Sequence, residues 1–288
     1  AGLAVADLAA GTQRLTDAAA SATGPGVALP ATSASADDAD LERRFGGLRR
    51  LYGDPGYERL RALRVAVVGL GGVGSWSVEA LARSGVAGLT LFDLDHVAES
   101  NINRQVQALG ATLGLHKGLA LAERVADIHP GCVVQVVDDF VQPDNWPALL
   151  PASVDVLIDA CDQVKAKAAL AQWALRERVP LVCVGAAGGK RDAARVAVAD
   201  LADTTHDPLL ASLRQRLRKA GVAPRQGRIH VRCVFSAEAV LRPTGADCDL
   251  GAPGAALACA GYGSSVMVTA SFGMAAAGEA VALHLARG

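Results

Sequence analysis

A glycine-rich turn in the first third of the sequence is the first segment whose residue types suggest chemistry. Residues 65–74 read VAVVGLGGVG, a run of small aliphatic residues that ends in the spacing GxGxxG. Glycines let a backbone turn tightly and approach a ligand closely, and the amino end of a following helix favours an anion. The turn alone is compatible with NAD, FAD or ATP. The residues predicted to hold phosphate are Gly69, Gly71, Gly72 and Gly74.

A group of acids and amides follows the next predicted strand. Asp93 ends that strand about 20 residues after the turn, where a carboxylate can bind a ribose hydroxyl, and Asp95 comes next but one. A hydride-transferring enzyme needs a neutral slot for nicotinamide here. Cleavage of ATP between its α and β phosphates instead needs cations and amide donors. The candidate donors and cations are Ser100, Asn101, Asn103, Arg104 and Lys117.

A further carboxylate falls at the same edge of the predicted sheet. The fourth predicted strand ends in DACD, whose last residue is Asp162. A carboxylate there can bind the Mg²⁺ ion that accompanies ATP. We therefore predict that Arg104 and Lys117 stabilise charge on the triphosphate while Asp162 holds magnesium. These three candidate catalytic residues together favour ATP over a dinucleotide.

The elements that must position these residues alternate between strands and helices. Apolar runs without polar alternation predict strands buried on both faces, as in a parallel sheet. The predicted strands cover residues 65–69, 88–95, 132–140, 154–162, 180–186 and a hairpin-like 195–201, and the predicted helices cover 55–62, 75–84, 114–128 and 165–178. We predict an α/β, Rossmann-like fold: a mainly parallel sheet with helices on both faces and a C-terminal antiparallel extension. Ligands of such sheets bind beyond the carboxyl ends of the strands, where the candidate residues fall.

The bulk composition is that of an ordinary globular protein. The 288-residue chain has a net charge of −1 and is 51% hydrophobic, so composition gives no indication of nucleic acid. Residues 1–40 are rich in Ala, Ser, Gly, Thr and Asp, and are predicted to be a disordered extension with a short helix near Leu3–Ala20. Residues 41–288 are predicted to form one nucleotide-binding domain. We expect no secretory signal and predict a cytoplasmic protein.

One long uncharged segment allows a different location. Ala255–Ala277 is long enough to span a bilayer but consists mostly of Ala, Gly, Ser and Thr. We expect a helix that packs closely against the sheet. Membrane association through this segment is the alternative.

The order of the motifs resembles the ThiF/MoeB superfamily of ubiquitin-activating-enzyme-like adenylyltransferases. The resembling pattern is GLGGVG, DxDxxxxSNxxRQ, a lysine at a helix start and DACD, and it spans residues 69–162. The resemblance implies that Gly72 approaches the phosphates, that Asp93 binds ribose and that Asp162 coordinates magnesium. It also implies that residues 100–104 and Lys117 bind the triphosphate, and that the protein is a homodimer.

Further segments resemble one branch of this superfamily, the tRNA threonylcarbamoyladenosine dehydratases. Among them are RFGGLRRLYG (44–53), AAGGKRD (186–192) and GYGSSVMVTASFG (261–273). The resemblance implies an enzyme that uses ATP to activate the threonyl carboxylate of N6-threonylcarbamoyladenosine in tRNA, so that ring closure removes one water overall. Two alternatives stay open: adenylation of the C-terminus of a ubiquitin-like sulfur-carrier protein, and a sulfur-relay partnership with a cysteine desulfurase.

A basic run, LRQRLRKAGVAPRQGR (213–228), lies within a predicted helical arm at 202–230. Such a run is by default a solvated helix, but an RNA substrate would give its cations partners in the phosphate backbone. Aromatic residues are absent from the run, so it does not indicate base stacking. The predicted tRNA-binding residues are Arg214, Arg216, Arg218, Lys219, Arg225 and Arg228.

The chain departs from sulfur-handling members of the superfamily at two places. Its six cysteines include no CxxC pair, so we expect no zinc site. Relatives contribute an arginine to the partner subunit from a segment near the N-terminus. In this chain the second arginine of that segment is replaced by Gly47. The candidate substitutes are Arg44, Arg49 and Arg50. Cys233 in RCVFSAE is a candidate acceptor of sulfur or of an acyl group, although a strand cysteine is equally a core residue.

Overall fold

One mainly parallel sheet runs through the protein. A computed structural model describes residues 40–241 and 262–287, together with the backbone of Val27–Ala28. Its strands are β1 (Val27–Ala28), β2 (Arg64–Val68), β3 (Gly88–Phe92), β4 (Val133–Val137), β5 (Val156–Asp159), β6 (Leu181–Val184), β7 (Val196–Asp200) and β8 (Arg232–Ser236). They lie in the order β1-β4-β3-β2-β5-β6-β8-β7. β2 to β6 and β8 pair in parallel, whereas β1 and β7 pair antiparallel at the two edges.

Helices cover both faces of this sheet. They are α1 (Leu41–Ala62), α2 (Gly74–Arg83), α3 (Lys117–Ile128), α4 (Val164–Glu177), α5 (Pro208–Lys219) and α6 (Val266–Leu285). Successive residues of a strand point to opposite faces. Val65 and Val67 therefore join the core formed with α1, α2, α3 and α6, while Ala66 and Val68 join the core formed with α4 and α5. The predicted Rossmann-like α/β architecture with an antiparallel edge is confirmed.

The strand order changes direction at β2. β3 and β4 lie on one side of it, and β5, β6 and β8 lie on the other. Such a switch leaves a crevice at the carboxyl ends of the two central strands, which is where ligands of open α/β sheets bind. β2 ends next to Gly69, and β5 ends at Asp159. The fold therefore brings the phosphate turn and the DACD segment to the same crevice.

α6 is the one described helix that is long and apolar enough to cross a membrane, with a mean hydropathy of 1.6. Its Val268, Phe272, Ala276 and Ala280 are buried in the core shared with the sheet and α2. The i, i+4 spacing of these residues puts them along one stripe of the helix. Residues 266–277 of the uncharged segment thus belong to a core helix, residues 262–265 precede it, and residues 255–261 lie outside the described residues.

Two helices differ in their bounds from the sequence predictions. α1 begins at Leu41 rather than near Pro55, because the Asp40 side chain caps it by accepting the N–H of Arg43 at 2.9 Å. A kink at Gly53, with φ of +69°, lets the helical run continue into Pro55. α3 begins at Lys117 rather than at residue 114, which has φ of +82° and lies in the preceding loop.

The C-terminal edge also differs in its connections. β7 was predicted as one arm of a hairpin after β6, but β8 lies between the two strands. β7 pairs antiparallel with β8, which comes more than 30 residues later in the chain. Local sequence signals carry no information about this pairing, because the chain passes through α5 before β8 forms.

The predicted N-terminal extension lies mostly outside the described residues. Of residues 1–40, the structure describes only Val27–Ala28, which pair with β4, and Asp40. The helix expected near Leu3–Ala20 falls outside the described residues. The division of the chain at residue 40 stays a prediction.

Candidate nucleotide-binding site

The glycine-rich turn joins β2 to α2 and passes close to the end of β5. A Cβ atom on Gly69, which has φ of +87°, would lie 2.9 Å from the backbone nitrogen of Cys161. A Cβ atom on Gly74 would lie 1.8 Å from the carbonyl oxygen of Gly69. An added Cβ on Gly71, by contrast, would have no atom within 4 Å. The turn is therefore closed against the protein on one side and open on the other, at the amino end of a helix where a phosphate can be held.

Asp93 follows β3 and is buried, with an exposed fraction of 6%. One carboxylate oxygen accepts the N–H of Leu70 at 2.6 Å, and the other accepts the N–H of Asp95 at 2.9 Å. These bonds hold the carboxylate beside the phosphate turn. Each carboxylate oxygen keeps a lone pair that can accept a ribose hydroxyl, as predicted for this residue.

Lys117 is the first residue of α3, and its side chain is buried between two acids. Its Nζ lies 2.7 Å from Asp95 Oδ2 and 4.0 Å from Asp93 Oδ1. His116 accepts the N–H of Gly118 through Nδ1, so its Nε2 carries the proton and donates to the Asp93 carbonyl at 2.9 Å. The cap fixes the start of α3 and thus the position of the ammonium group. Because Asp95 is exposed, an incoming phosphate can replace it as the partner of Lys117.

Arg104 lies across the turn. Its Cγ would be 3.3 Å from a Cβ atom on Gly72, so its aliphatic part covers that glycine. Its carbonyl oxygen accepts the indole N–H of Trp76 at 2.9 Å, which anchors it to α2. Nη1 donates to the carbonyl oxygen of Ser100 at 2.6 Å and to Oδ1 of Asn103 at 2.9 Å. Nε and Nη2 make no hydrogen bond to the described residues, which leaves them available to a phosphate.

The amide side chains beside Arg104 serve the fold as well as the site. Asn101 is buried, and its Oδ1 accepts a backbone N–H from three residues earlier at 3.0 Å. Asn103 Nδ2 donates to the Ser264 carbonyl at 3.0 Å, which ties this loop to the segment before α6. These two residues therefore position Arg104. The Ser100 hydroxyl makes no hydrogen bond within the described residues and remains a free donor.

Asp162 follows β5 and is partly exposed at the same edge. Within the described residues its carboxylate has no ion-pair partner, unlike Asp159, which pairs with Lys167. A free carboxylate at this position fits Mg²⁺, which is usually held by one or two carboxylates, waters and substrate phosphates. No group of three or more His, Cys, Asp or Glu residues suited to a metal occurs among residues 40–241 and 262–287.

Comparisons with known proteins show the family of this chain. The ThiF family model matches residues 44–287. The chain belongs to the ThiF family. The tRNA threonylcarbamoyladenosine dehydratase of Escherichia coli (strain K12) is 44% identical to it over 253 residues, or 85% of this chain and 94% of that protein. The enzyme of the same name from Haemophilus influenzae is 41% identical over 84% of this chain and 93% of its own length.

A solved structure is similar over the same extent. The crystal structure of E. coli tRNA N6-threonylcarbamoyladenosine dehydratase, TcdA, in complex with ATP matches with a TM-score of 0.78 at 42% identity. The match covers 86% of this chain and 97% of that one. The resemblance inferred from the motifs is confirmed at the level of family and fold.

Beneath the nucleotide site of this ThiF-family chain lies a buried ion pair that the sequence analysis missed. Lys167 Nζ is 3.1 Å from Asp159 Oδ1, and both side chains are 0% exposed. Burial disfavours the charge on Lys167, but the attraction and hydrogen bond of Asp159 outweigh it and raise the pKa of that lysine. Asp159 also accepts from the thiols of Cys161 at 2.9 Å and Cys183 at 3.3 Å. The pair fixes the segment that carries Asp162.

The two thiols that donate to Asp159 have raised pKa values. Burial, followed by the neighbouring Asp159 charge, raises the pKa of Cys161 well above its ordinary value. A hydrogen bond with Cys233, followed by burial, does the same to the pKa of Cys183. Cys233 is 0% exposed in β8 and lies in register with Cys183 of β6. The structure therefore places Cys233 in the core and does not bring it together with the nucleotide-binding residues.

The basic residues of the predicted arm do not form one surface. α5 packs Leu213 and Leu217 into the core, so it lies on the domain rather than extending from it. Arg214 is half-buried, and its Nη1 donates to two backbone carbonyls at 2.9 and 3.0 Å. Arg218 is also half-buried, one helical turn further along. The exposed members of the predicted set are Arg216, Lys219, Arg225 and Arg228.

Sequence reasoning also missed several residues that support the site. The carbonyl of Arg104 is held by Trp76 and, at 3.4 Å, by the hydroxyl of Thr269 in α6. Gln107 Nε2 donates to the carbonyl oxygen of Leu70 within the turn at 3.0 Å. Thr269 lies on the buried face of α6, and a polar residue on such a face is a usable signal. Trp76 and Gln107 carry no comparable signal.

Proposed function

We propose that this ThiF-family chain is an ATP-dependent tRNA threonylcarbamoyladenosine dehydratase, which converts N6-threonylcarbamoyladenosine in tRNA to its cyclic form. The observation that carries the proposal is the extent of the relationship, because the 44% identity extends over 94% of the E. coli enzyme rather than over the nucleotide site alone. The arrangement of Arg104, Lys117 and Asp162 around the phosphate turn supports it.

The proposed reaction begins by making a poor electrophile reactive. An oxygen of the threonyl carboxylate attacks the α-phosphorus of ATP, the bond to the β-phosphate breaks, and pyrophosphate leaves. A nitrogen or oxygen of the same modified nucleoside then attacks the acyl carbon and loses its proton, while AMP leaves with the former carboxylate oxygen. Because the nucleophile is in the same molecule, the protein need supply only position and charge stabilisation.

Each residue of the site contributes to a different part of this reaction. The turn from Gly69 to Gly74 holds the phosphates through its backbone, and Asp93 binds the ribose. Arg104 and Lys117 stabilise the negative charge that develops on the phosphates. Mg²⁺ held by Asp162 would supply further positive charge beside them.

We also propose that the protein acts as a homodimer. Apolar side chains are exposed along one loop segment: Ile102 by 47%, Leu109 by 52%, Leu113 by 41% and Leu115 by 42%. A concentration of exposed apolar residues on one segment indicates an interaction surface. The segment begins among residues 100–104 and ends before Lys117, which we propose to bind the triphosphate, so a second copy seated on it would lie close to the nucleotide.

Arg50 is the residue that we propose to reach the partner's site. Arg44 is engaged with the last carbonyls of α3, and Arg49 pairs with two acids. Arg50 is exposed and forms no ion pair within the described residues. Its Nη2 lies 3.9 Å from a Cβ atom built on Gly47, so its guanidinium lies beside the position where relatives carry the second arginine.

The predicted cellular location and the predicted sulfur-relay partnership stay proposals. A cytoplasmic location is supported by the packing of α6 into the core. A sulfur-relay role through Cys233 receives no support, because that thiol is fully buried in β8 between β6 and β7. A partnership with a cysteine desulfurase would have to use another surface.

The proposed function is tested by measuring the mass of the tRNA nucleosides. The protein is incubated with ATP, Mg²⁺ and tRNA from cells that lack the cyclic modification, and the digested nucleosides are analysed by mass spectrometry. We expect threonylcarbamoyladenosine to lose the mass of one water only when ATP is present. Asp162→Asn should slow this conversion by about 100-fold or more, whereas the exposed Arg43→Ala control should not. An unchanged tRNA together with an adenylated carrier protein would support the alternative enzyme.

A further inference from the structure

A groove runs along the outer face of α4, on the side of the sheet opposite α6. It has a volume of about 430 Å³ and lies between α4, α5 and the residues around Trp146. One face of α4 lines it from Lys165 to Arg176. The eleven helical rises between these two residues correspond to about 16 Å. Lys165 follows Asp162 by three positions, so this end of the groove is close in sequence to the predicted magnesium ligand.

Aromatic rings form part of its wall. Trp173 of α4 is partly exposed, and its ring centroid lies 5.2 Å from that of Trp146 in an edge-to-face arrangement. Trp146 in turn packs edge-to-face on the buried Phe92 at 5.8 Å. This stack holds Trp173 in place from behind. Nε1 of Trp146 is buried and has no acceptor among the described residues, and a buried donor of this kind indicates a missing polar partner.

The charged side chains of the lining are all positive. Lys165 and Arg176 extend from α4, and Arg216 faces them from α5. Lys165 and Arg216 form no ion pair within the described residues, while Arg176 pairs with the exposed Glu177 at 2.8 Å. No acidic side chain lines the groove. Cations with few counterions, placed beside a fixed aromatic ring, match an unpaired nucleotide, whose phosphate is anionic and whose base has a flat face.

We propose that this groove binds unpaired nucleotides of the RNA substrate next to the reacting nucleoside, with a base on Trp173 and phosphates on Lys165 and Arg216. This inference rests on the proposed function and names the surface that would hold its substrate. It also divides the predicted basic residues of α5, because Arg216 lines the groove whereas Arg214 is bonded into the fold. A duplex would contact the cations alone, since paired bases cannot stack on a side chain.

The charge test measures the affinity of tRNA as a function of salt. Lys165→Glu and Arg216→Glu should each weaken binding by about tenfold or more at low salt, and each should lower the salt slope by about one. Arg43→Glu makes the same change of charge on an exposed residue of α1, outside the groove, and serves as the control. Wild-type-like affinity and salt slope in both groove variants would overturn the inference.

The stacking test uses Trp173. Trp173→Leu keeps an apolar side chain and should weaken binding of an anticodon-type stem-loop by about 5- to 150-fold, while Trp173→Phe should restore most of it. Binding of a fully paired hairpin should change little in either variant. Quenching of tryptophan fluorescence by the stem-loop should be strong in the wild type and weak in Trp173→Phe. Equal loss of loop and duplex binding would overturn the stacking assignment.

These experiments distinguish a failure of the proposed groove from a failure of the proposed reaction. If the wild type binds tRNA through the groove but no nucleoside loses water, the proposed reaction fails and the groove stands. If cyclisation occurs and the groove variants retain wild-type affinity for tRNA, the inference about the groove fails and the reaction stands. ATP-dependent thermal stabilisation should be equal in all variants, which confirms that they are folded.

Discussion

Single atoms decide which glycines of the phosphate turn can be replaced. An added Cβ on Gly74 would lie 1.8 Å from the carbonyl oxygen of Gly69, and backbone cannot move aside as a flexible side chain can. An added Cβ on Gly71 meets nothing within 4 Å. The same motif therefore contains one glycine required for closure and another whose role is to leave space for a ligand.

Gly74→Ala should lower the free energy of unfolding by about 3 kcal/mol or more through this clash. Gly71→Ala should leave stability within about 0.5 kcal/mol of the wild type, even where it weakens nucleotide binding. Chemical denaturation of both variants without nucleotide makes the comparison. Equal stability of the two would contradict the steric account.

The buried pair below the turn supports a second prediction at this scale. Lys167→Met leaves the Asp159 carboxylate buried without a cation, so it should destabilise the fold by about 3–5 kcal/mol. The double variant Asp159→Leu with Lys167→Met removes both charges and should recover much of that loss. Urea denaturation of the single and double variants measures this difference. A double variant no more stable than the single one would show that the loss comes from packing rather than from charge.

Residue types at strand ends could be predicted because each has a chemical reason to be there. Asp93, Lys117 and Asp162 follow apolar strands or begin a helix, and a charged side chain at such a place is a usable signal for a ligand site. The pair of Asp159 and Lys167 could not be found in this way, because a lysine eight residues after an aspartate has no fixed distance until the strand and α4 are packed. Cys233 was open to two interpretations for the same reason, since burial is a property of the finished sheet.

At the scale of elements, α1 and α3 meet through a histidine that must remain neutral. His129 ends α3 and packs edge-to-face on Phe45 of α1 at 4.8 Å. Arg61 lies 3.1 Å from its Nε2, which must therefore be the unprotonated nitrogen that accepts the guanidinium N–H. Burial, then the charges of Arg61 and Arg44, lower the pKa of His129 from 6.5 to about 4.

This junction makes stability depend on pH. The unfolded chain protonates His129 near its ordinary pKa, whereas the folded chain does so only near pH 4. Between these values the unfolded state binds more protons, so stability is complete above about pH 6.5 and falls as the pH decreases, by up to about 3 kcal/mol. His129→Gln should flatten this part of the stability curve, while His96→Gln on the exposed loop should not. An unchanged slope in His129→Gln would rule out the histidine as its source.

The elements themselves were predictable where they were regular. Apolar runs located the strands β2 to β7, and the predicted helices at 75–84 and 165–178 match α2 and α4 to within a few residues. α1 was found only in its second half, because Pro55 and Gly53 read as a break although the chain kinks and continues. The place of β8 between β6 and β7 depends on how the chain folds back after α5, and short-range patterns do not encode that path.

At the scale of the whole molecule, the proposed dimer makes each site depend on two chains. Arg50→Ala and Asp162→Asn should each inactivate the homodimer, the first by removing the arginine given to the partner and the second by removing the site's own carboxylate. Mixing the two variants should restore activity to roughly a quarter of the wild type, because half of the dimers are mixed and each mixed dimer has one intact site. Tandem tags can isolate the mixed dimers.

The control is the variant Arg49→Ala. It should stay active because Arg49 is engaged with two acids of its own chain. Sedimentation should report a dimer for every variant. A mixture as inactive as its parents would show that Arg50 acts within its own chain, and a monomeric, fully active protein would overturn the dimer.

The contact of Gly72 with both Arg104 and Thr269 joins three distant parts of the chain. An added Cβ on Gly72 would lie 3.1 Å from Thr269 and 3.3 Å from Arg104, so the turn, the triphosphate loop and α6 meet at one point. During synthesis the first two leave the ribosome long before α6 does. A nascent chain that lacks α6 has an incomplete wall behind the phosphates, so it should not retain ATP. Nucleotide capture by ribosome-bound intermediates should therefore begin only when Thr269 has emerged from the exit tunnel, and ATP retention then reports a completed fold.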